Sequence, residues 1–309
     1  MPGRPPTAFR LLAMAAIGGA LLSGWLSWPD ATAGPCVVAG GSVPLPELPE
    51  ASGLAIGQRT PGVLWVHNDS QNDAVLFALD TTGAVRGRVR VPVELRDWED
   101  VSAARCPAGN CLYIADIGDN PLERRQVQIL RVPEPAVTDT QTATPERFAV
   151  VYPDERHNAE ALFVVADDVF IVTKDETGLL FRGRIPAASG GVIEMQRIGE
   201  LHMQIVSDAE ASPDGQVVVV RNPNAAAFYR TADLVAGKAV PYARISLEGL
   251  REVQGEGVAF DGTMLYLSSE GRPWTGGGSL LSLRCTIAAP SHDARVLENA
   301  SPHVSHFSA

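Results

Sequence analysis

Five segments of this chain follow one plan, and their openings recur about every 50 residues. Each begins with a small or acidic residue, runs through a short apolar strand and a turn, continues in a second strand rich in Val, Ile, Leu, Tyr and Trp, and stops on a polar cluster. The segments are "SGLAIGQRTPGVLWVHNDS", "EDVSAARCPAGNCLYIADIGDN", "EALFVVADDVFIVTKDE", "DAEASPDGQVVVVRNPN" and "EGVAFDGTMLYLSSEG", opening at Ser52, Glu99, Glu160, Asp208 and Glu256. A repeat of this length cannot bury its own hydrophobic faces, so the units must stack on one another.

A third strand follows each polar cluster: "AVLFALD", "VQILRVPE", "LLFRGRI", "AAFYRT" and "SLLSLRC". A fourth follows in "VRGRVRV", "FAVVYP", "MQRIGEL" and "YARISLE", but the fifth unit has none after Cys285. The missing strand is supplied by "CVVAGGSVPL" near the other end of the chain. The pattern predicts an all-β β-propeller of five four-stranded blades, closed by an N-terminal strand pairing with the last blade. A six-bladed count competes, with irregular strands hidden in "AVTDTQTATPER" and in 186–194. A β-sandwich also suits alternating strands with regular turns, but it does not account for the period.

The ends of the chain lie outside this plan. Arg4 and Arg10 precede the apolar run "LLAMAAIGGALLSGWLSW", and the small-residue triplet "ATA" follows at Ala31 to Ala33. This is the layout of a secretory signal over 1–33, with an uncleaved membrane anchor as the alternative. The propeller is expected over 34–285, secreted or otherwise extracytoplasmic. The aperiodic 286–309 is expected to be a disordered tail. Cleavage would remove two arginines and one aspartate, taking the net charge from −11 to −12. Nucleic acid and anionic membrane surfaces are therefore excluded as natural partners.

Four cysteines in an oxidising compartment permit three pairings. Cys106 and Cys111 bracket the short turn "PAGN" and are expected to bond across it, which leaves Cys36 to bond Cys285 at the ring closure. Zinc is the alternative, but the spacing is not that of a zinc site and His is not clustered nearby.

In a propeller the first strand of every blade lines the central channel, so the five openings and the five polar clusters should meet at one mouth. Glu99, Asp100, Glu160, Asp208 and Glu256 would be joined there by His67, Asn68, Asp69, Asp116, Asp119, Asn120, Lys174, Asp175, Arg221, Asn222, Ser268, Ser269 and Glu270. Several carboxylates in one partly desolvated site need compensation, and a divalent cation supplies it. Oxygen ligands favour Ca²⁺ over zinc or copper, which makes Glu99, Glu160, Asp208 and Glu256 the candidate metal ligands. The opposing reading has the acids capping turns and pairing with Lys174, Arg221, Arg124 and Arg125.

The stretches "NAEALF" with "VFIVTKDETGLLFRGR", and "QGEGVAFDGTMLYLSSEG" with "SLLSLRC", resemble the blades of β-propeller phytases and their esterase-like relatives. The resemblance implies Glu160 and Glu256 as calcium ligands and Lys174 and Arg221 as anion contacts. The phytases have six blades where this sequence shows five. Calcium-dependent lactonases of the gluconolactonase and paraoxonase type are similar in architecture.

Two functions follow as expectations. One is a calcium-dependent hydrolase of a phosphoester or lactone, with the metal polarising the reacting oxygen, His67 or Asp116 as general base, and Lys174, Arg221, Asn68 and Glu270 contacting substrate. His157 is a further candidate base. The other is a monomeric, non-catalytic propeller that grips a small molecule, glycan or other partner at the mouth, with Trp65, Trp98 and Trp274 available to stack on sugars. Serine-hydrolase, zincin and P-loop motifs are absent from the sequence.

Overall fold

The computed structural model describes residues 32–69, 72–272 and 276–287, so nearly all of the segment expected to be a secretory signal, Trp274 and the stretch from 288 onward lie outside the described residues. The five repeats form five sheets, in each of which the strands of the sequence plan pair antiparallel. Blade 1 is Ala51–Ile56, Val63–Asn68, Val75–Asp80 and Val85–Arg90. Blade 2 is Asp100–Cys106, Gly109–Asp116, Val127–Pro133 and Glu146–Val151. Blade 3 is Ala159–Val165, Asp168–Thr173, Leu179–Arg184 and Gln196–Glu200. Blade 4 is Asp208–Ala211, Val217–Asn222, Ala225–Arg230 and Ala243–Ser246, and blade 5 is Gln254–Phe260, Met264–Glu270 and Gly278–Cys285.

The fourth strand of blade 5 comes from the other end of the chain and is broken in two. Cys36–Val38 pairs with the end of Gly278–Cys285, and Val43–Leu45 pairs with its beginning. Cys36 stands opposite Cys285 and is bonded to it, and Cys106 is bonded to Cys111. The two stretches that could have hidden a sixth blade instead extend existing ones. Val192–Glu194 adds a parallel fifth strand to the outer edge of blade 2, and Gln141 bridges to Arg90 at the edge of blade 1.

The first strands pack in ring order, that of blade 5 returning against that of blade 1. Among the described residues a hydrophobic cluster fills each of the five gaps between blades. Blades 1 and 2 meet through Trp65, Leu76, Ile114 and Leu130, and blades 2 and 3 through Tyr113, Phe148, Ile171 and Phe181. Phe163, Phe170, Val218 and Tyr229 join blades 3 and 4. Phe228 and Phe260, edge to face at 5.2 Å, join blades 4 and 5. Leu54, Leu79, Tyr266 and Leu280 close the ring between blades 5 and 1. Burial on both faces explains why the second strands read as nearly unbroken apolar runs such as "VVVV" at 217–220.

Candidate functional site

The innermost strand of each blade is a sheet edge, and its channel-facing amides have no neighbouring strand to pair with. The sequence answers this with a bulge at the start of each inner strand. The register shifts between Ser52 and Leu54, between Ala159 and Ala161, and between Gly255 and Val258. In blade 2 the Glu99 amide bonds the Ala115 carbonyl while Asp100 also stands opposite Ala115, and in blade 4 Ser207 and Asp208 share Arg221 in the same way. A bulge re-aims side chains toward the axis.

These bulges set the levels of the channel. The outer level is Ser52, Glu99, Glu160, Ser207 and Glu256, and the next is Gly53, Asp100, Ala161, Asp208 and Gly257. Ser52 Oγ donates to the Glu99 carbonyl at 2.7 Å, and Ser207 Oγ donates to the Glu256 carbonyl at 3.0 Å. Asp208 therefore stands one level deeper than the three glutamates, and Ser207 holds the place that the repeat spacing assigned to it.

The deeper acids are buried and bonded to backbone. Asp208 Oδ2 accepts the amides of Leu54 at 3.2 Å and Val258 at 2.5 Å, tying blade 4 to blades 1 and 5. Asp100 Oδ2 accepts the Leu162 amide of blade 3 at 2.7 Å. Glu210 accepts the Ser102 hydroxyl at 2.6 Å and the Ala103 amide at 3.1 Å. Asp208 Oδ1 has no hydrogen-bond partner among the described residues, and the Asp100 and Asp208 carboxyls interact with each other. Burial and the Asp208 charge push Asp100 well above the carboxylate range, and burial pushes Asp208 up to about 7. One proton shared by the pair satisfies both.

The outer level is more open and more highly charged. Glu99, Glu160 and Glu256 are each 5% exposed. Burial raises Glu160 to about 8 against the pull of Lys174, which forms an ion pair with it. Burial, then Glu160, Asp69 and Asp97, raise Glu99. Glu270 rises to about 7 through burial and the charges of Glu256, Asp69 and Glu50. Burial alone would lower Lys174, but Glu160, Glu256 and Glu99 outweigh it and raise its pKa.

One corner of the mouth has the span of a metal site. Asp69, Asp97 and Glu99 each offer a carboxylate oxygen, all within 4.8 Å of one another. Oxygens bound to one Ca²⁺ ion at about 2.3 to 2.6 Å stand no farther apart than about 5 Å, so a span of this size is compatible with a shared ion. Gly118 leaves the space beside them open: a Cβ there would stand 2.1 Å from Glu99 Oε1 and 2.5 Å from Asp97 Oδ2. The donor set thus fits an oxygen-ligated divalent cation.

The two residues expected as general bases support this corner from behind. His67 is fully buried and stacks on Trp98 with ring centroids 4.0 Å apart. Its Nδ1 donates to the Asn68 carbonyl at 2.9 Å and its Nε2 has no hydrogen-bond partner among the described residues, and burial holds it neutral with a pKa of about 4. Asp116 is fully buried, forms an ion pair with Arg124 at 3.0 Å, and accepts the Asp97 amide at 3.0 Å. Trp98 lies between Asp97 and Glu99 in the chain, so both residues brace the segment that carries these two carboxylates. Arg221, fully buried, is clamped by Glu252 at 2.9 Å and by the Gly257 carbonyl at 3.1 Å, joining blades 4 and 5.

Most of the polar clusters that end the second strands turn out to organise loops. Asn68 accepts the Glu50 amide and donates to the Glu47 carbonyl. Asp119 receives the amides of Glu123 and Arg124. Asp175 receives Thr177 and Gly178, and Asn222 receives Asn224 and Ala225. His157 is buried against Tyr152 and Phe181 and bonded to Asp154. Trp65 is buried between blades 1 and 2 with its indole N–H on Glu134. The structure thus gathers Glu99, Glu160, Glu256, Glu270 and Lys174 at the mouth and leaves His67, Asp116, Asn68 and Arg221 in the walls. Asp97 and Gly118 were missed; "DWED" at 97–100 carried the signal, while Gly118 is recognisable only from its position.

No family model matches this chain, and no curated protein matches it. Among solved structures it is similar to a hydrazine synthase of Kuenenia stuttgartiensis, at 14% identity over 74% of this chain and 58% of that one, with a TM-score of 0.36. A mitotic checkpoint complex is similar at 12% identity over 84% of this chain and 68% of that one, with a TM-score of 0.35. A nidogen/laminin complex is similar at 13% identity over 71% and 72% of the two chains, with a TM-score of 0.41. Likenesses at this level place no ligand, reaction or partner on the chain, and the propeller rests on its own five sheets.

Proposed function

We propose that this protein is an extracytoplasmic, monomeric, calcium-dependent propeller whose channel mouth binds a small polar molecule or glycan through the bound ion. The observation that carries the reading is the convergence of Asp69, Asp97 and Glu99 beside Gly118, with Glu160, Glu256 and Glu270 close by. The two disulfides accord with an oxidising compartment. No helix among the described residues is long and apolar enough to cross a membrane.

A bound Ca²⁺ would supply positive charge and open coordination positions for a ligand oxygen. Asp69, Asp97 and Glu99 would hold it, His67 and Asp116 would fix the backbone that carries two of them, and Lys174 would face an anionic part of the ligand. Hydrolysis of a phosphoester or lactone is the second reading. It is favoured by Glu270, a half-buried mouth carboxyl with a pKa of about 7, the range suited to a general base.

The test is a thermal melt of the protein in EDTA and again with Ca²⁺ restored. At 100 times the dissociation constant the ion should stabilise by about 2.7 kcal/mol, a rise in Tm of roughly 5 to 11 °C for a domain of this size. Glu99→Gln, Asp97→Asn and Gly118→Ala should each abolish most of that rise. Equal melting with and without millimolar Ca²⁺ would refute the proposal, and turnover of phosphoesters or lactones lost in Glu270→Gln would favour the hydrolase.

A further inference from the structure

Away from the channel, the face of blade 2 carries a cleft of about 270 Å³ lined by Arg124, Gln126, Val127, Gln128, Arg147, Ala149 and Gly190. It lies between the third and fourth strands of the blade, where Gln128 stands opposite Ala149. None of its lining residues is a carboxylate. Arg124 is paired with Asp116 behind the cleft, but Arg147 has no acidic partner among the described residues of a chain where Asp and Glu outnumber Lys and Arg by 36 to 25.

The backbone of Arg147 is clamped from two sides. Its amide donates to Ser189 Oγ at 3.2 Å, and its carbonyl accepts the Gly190 amide at 2.8 Å. Its guanidinium has no ion pair or hydrogen bond among the described residues, so its five N–H donors face the cleft and solvent. Across from it, Arg124 is held rigid by Asp116 and by the Gly118 carbonyl at 2.7 Å. Gln128 is fixed by donating to Asp116 at 2.6 Å, and the Gln126 amide is exposed. The free guanidinium of Arg147, the exposed Gln126 amide and the edges of Arg124 and Gln128, both held by Asp116, line a space at the small end of ligand sites.

We infer that this cleft is a binding site for a compact oxyanion, a phosphate, sulfate or carboxylate group borne by a soluble ligand. Guanidinium forks match the paired oxygens of such groups, and the amides add neutral donors that choose among them. The anchored Arg124 needs no reordering on binding, while Arg147 closes onto the anion from the other side. The cleft opens outside the channel mouth, although Arg124 also grips Asp116 and the Gly118 carbonyl behind the calcium corner.

The test is titration of the protein with inorganic phosphate, sulfate and glucuronate in EDTA at constant ionic strength, read by calorimetry and by NMR shifts of the arginine side chains. At least one of these probes should bind. Arg147→Gln should weaken it at least about tenfold, the scale of losing a charge-assisted hydrogen bond, without changing the melting temperature in the absence of anion. Gln126→Ala should weaken it less, and Glu256→Gln at the mouth should leave it unchanged. Binding that survives Arg147→Gln but is lost in Lys174→Gln would move the anion to the mouth and overturn the inference. No binding of any probe at 10 mM, or only a response that sodium chloride reproduces, would also overturn it. So would co-sedimentation with phosphatidylglycerol vesicles that Arg147→Gln abolishes, since the anion would then belong to a membrane surface.

Discussion

The two disulfides should differ in their contribution to stability by a factor set by the chain they enclose. Cys36 and Cys285 are 249 residues apart, and Cys106 and Cys111 are 5 apart. Constraining the unfolded chain gives about 5.5 kcal/mol for the long loop and about 2 kcal/mol for the short one at 25 °C. In a domain of this size those values correspond to losses in Tm of roughly 11 to 22 °C and 4 to 8 °C. The perturbation is a pair of double variants, Cys36→Ala with Cys285→Ala and Cys106→Ala with Cys111→Ala, each compared with the parent by guanidinium unfolding and calorimetry. The long bridge also lies within the closure strand, where Cys36 pairs with Cys285 and both are buried. Loss of packing there can only widen the gap. Equal costs for the two pairs, or a larger cost for the hairpin pair, would refute the reasoning, because ring closure would then persist in the unfolded chain without the bond.

Three further outcomes follow from the channel. Asp208, Glu160 and Glu270 have folded-state pKa values raised to about 7, about 8 and about 7. Raised acids bind more protons folded than unfolded, so in EDTA the domain should lose stability as pH climbs from about 4 to 8, and a melt series across that range checks it. Asp208→Ala leaves the Leu54 and Val258 amides without acceptors and should cost about 2 to 5 kcal/mol in denaturant unfolding, whereas Asp208→Asn, which keeps an acceptor oxygen, should cost less. Lys174→Gln removes a cation whose charge acts on Glu99 and should tighten calcium binding by calorimetry; a weaker affinity would show that Lys174 organises the site.

The architecture was legible because hydrophobic periodicity and spacing are local properties repeated five times. Even the borrowed strand could be read, since "SLLSLRC" had no partner downstream. The level of each acid in the channel was not legible. "SDAEA" and "WEDVSA" both offer an acid near the start of an inner strand, and only the bulge decides that Asp208 matches Asp100 and that Ser207 matches Glu99. The second-strand clusters misled for a chemical reason: Asp and Asn end strands by accepting the amides of the following turn, which uses the oxygens that a ligand would need. Glu134 and Glu252 gave no signal at all. Each lies in a connecting segment yet caps or clamps a neighbouring blade, Glu134 by accepting the Gln58 and Arg59 amides and Glu252 by holding Arg221.

The buried carboxylates on the axis have a consequence for how such a chain can change over generations. Blade 4 supplies Asp208 and Glu210, which reach blades 1, 2 and 5, and blade 2 supplies Asp100, which reaches blade 3. The hub therefore assigns different jobs to units that look interchangeable from outside. Duplicating or deleting one 50-residue unit, the ordinary step by which tandem repeats lengthen and shorten, would strand an acid without its amides or an amide without its acid. Moving the chain ends to another loop between blades would disturb none of these bonds, so this lineage is free to drift in where it starts but held to five in how often it repeats.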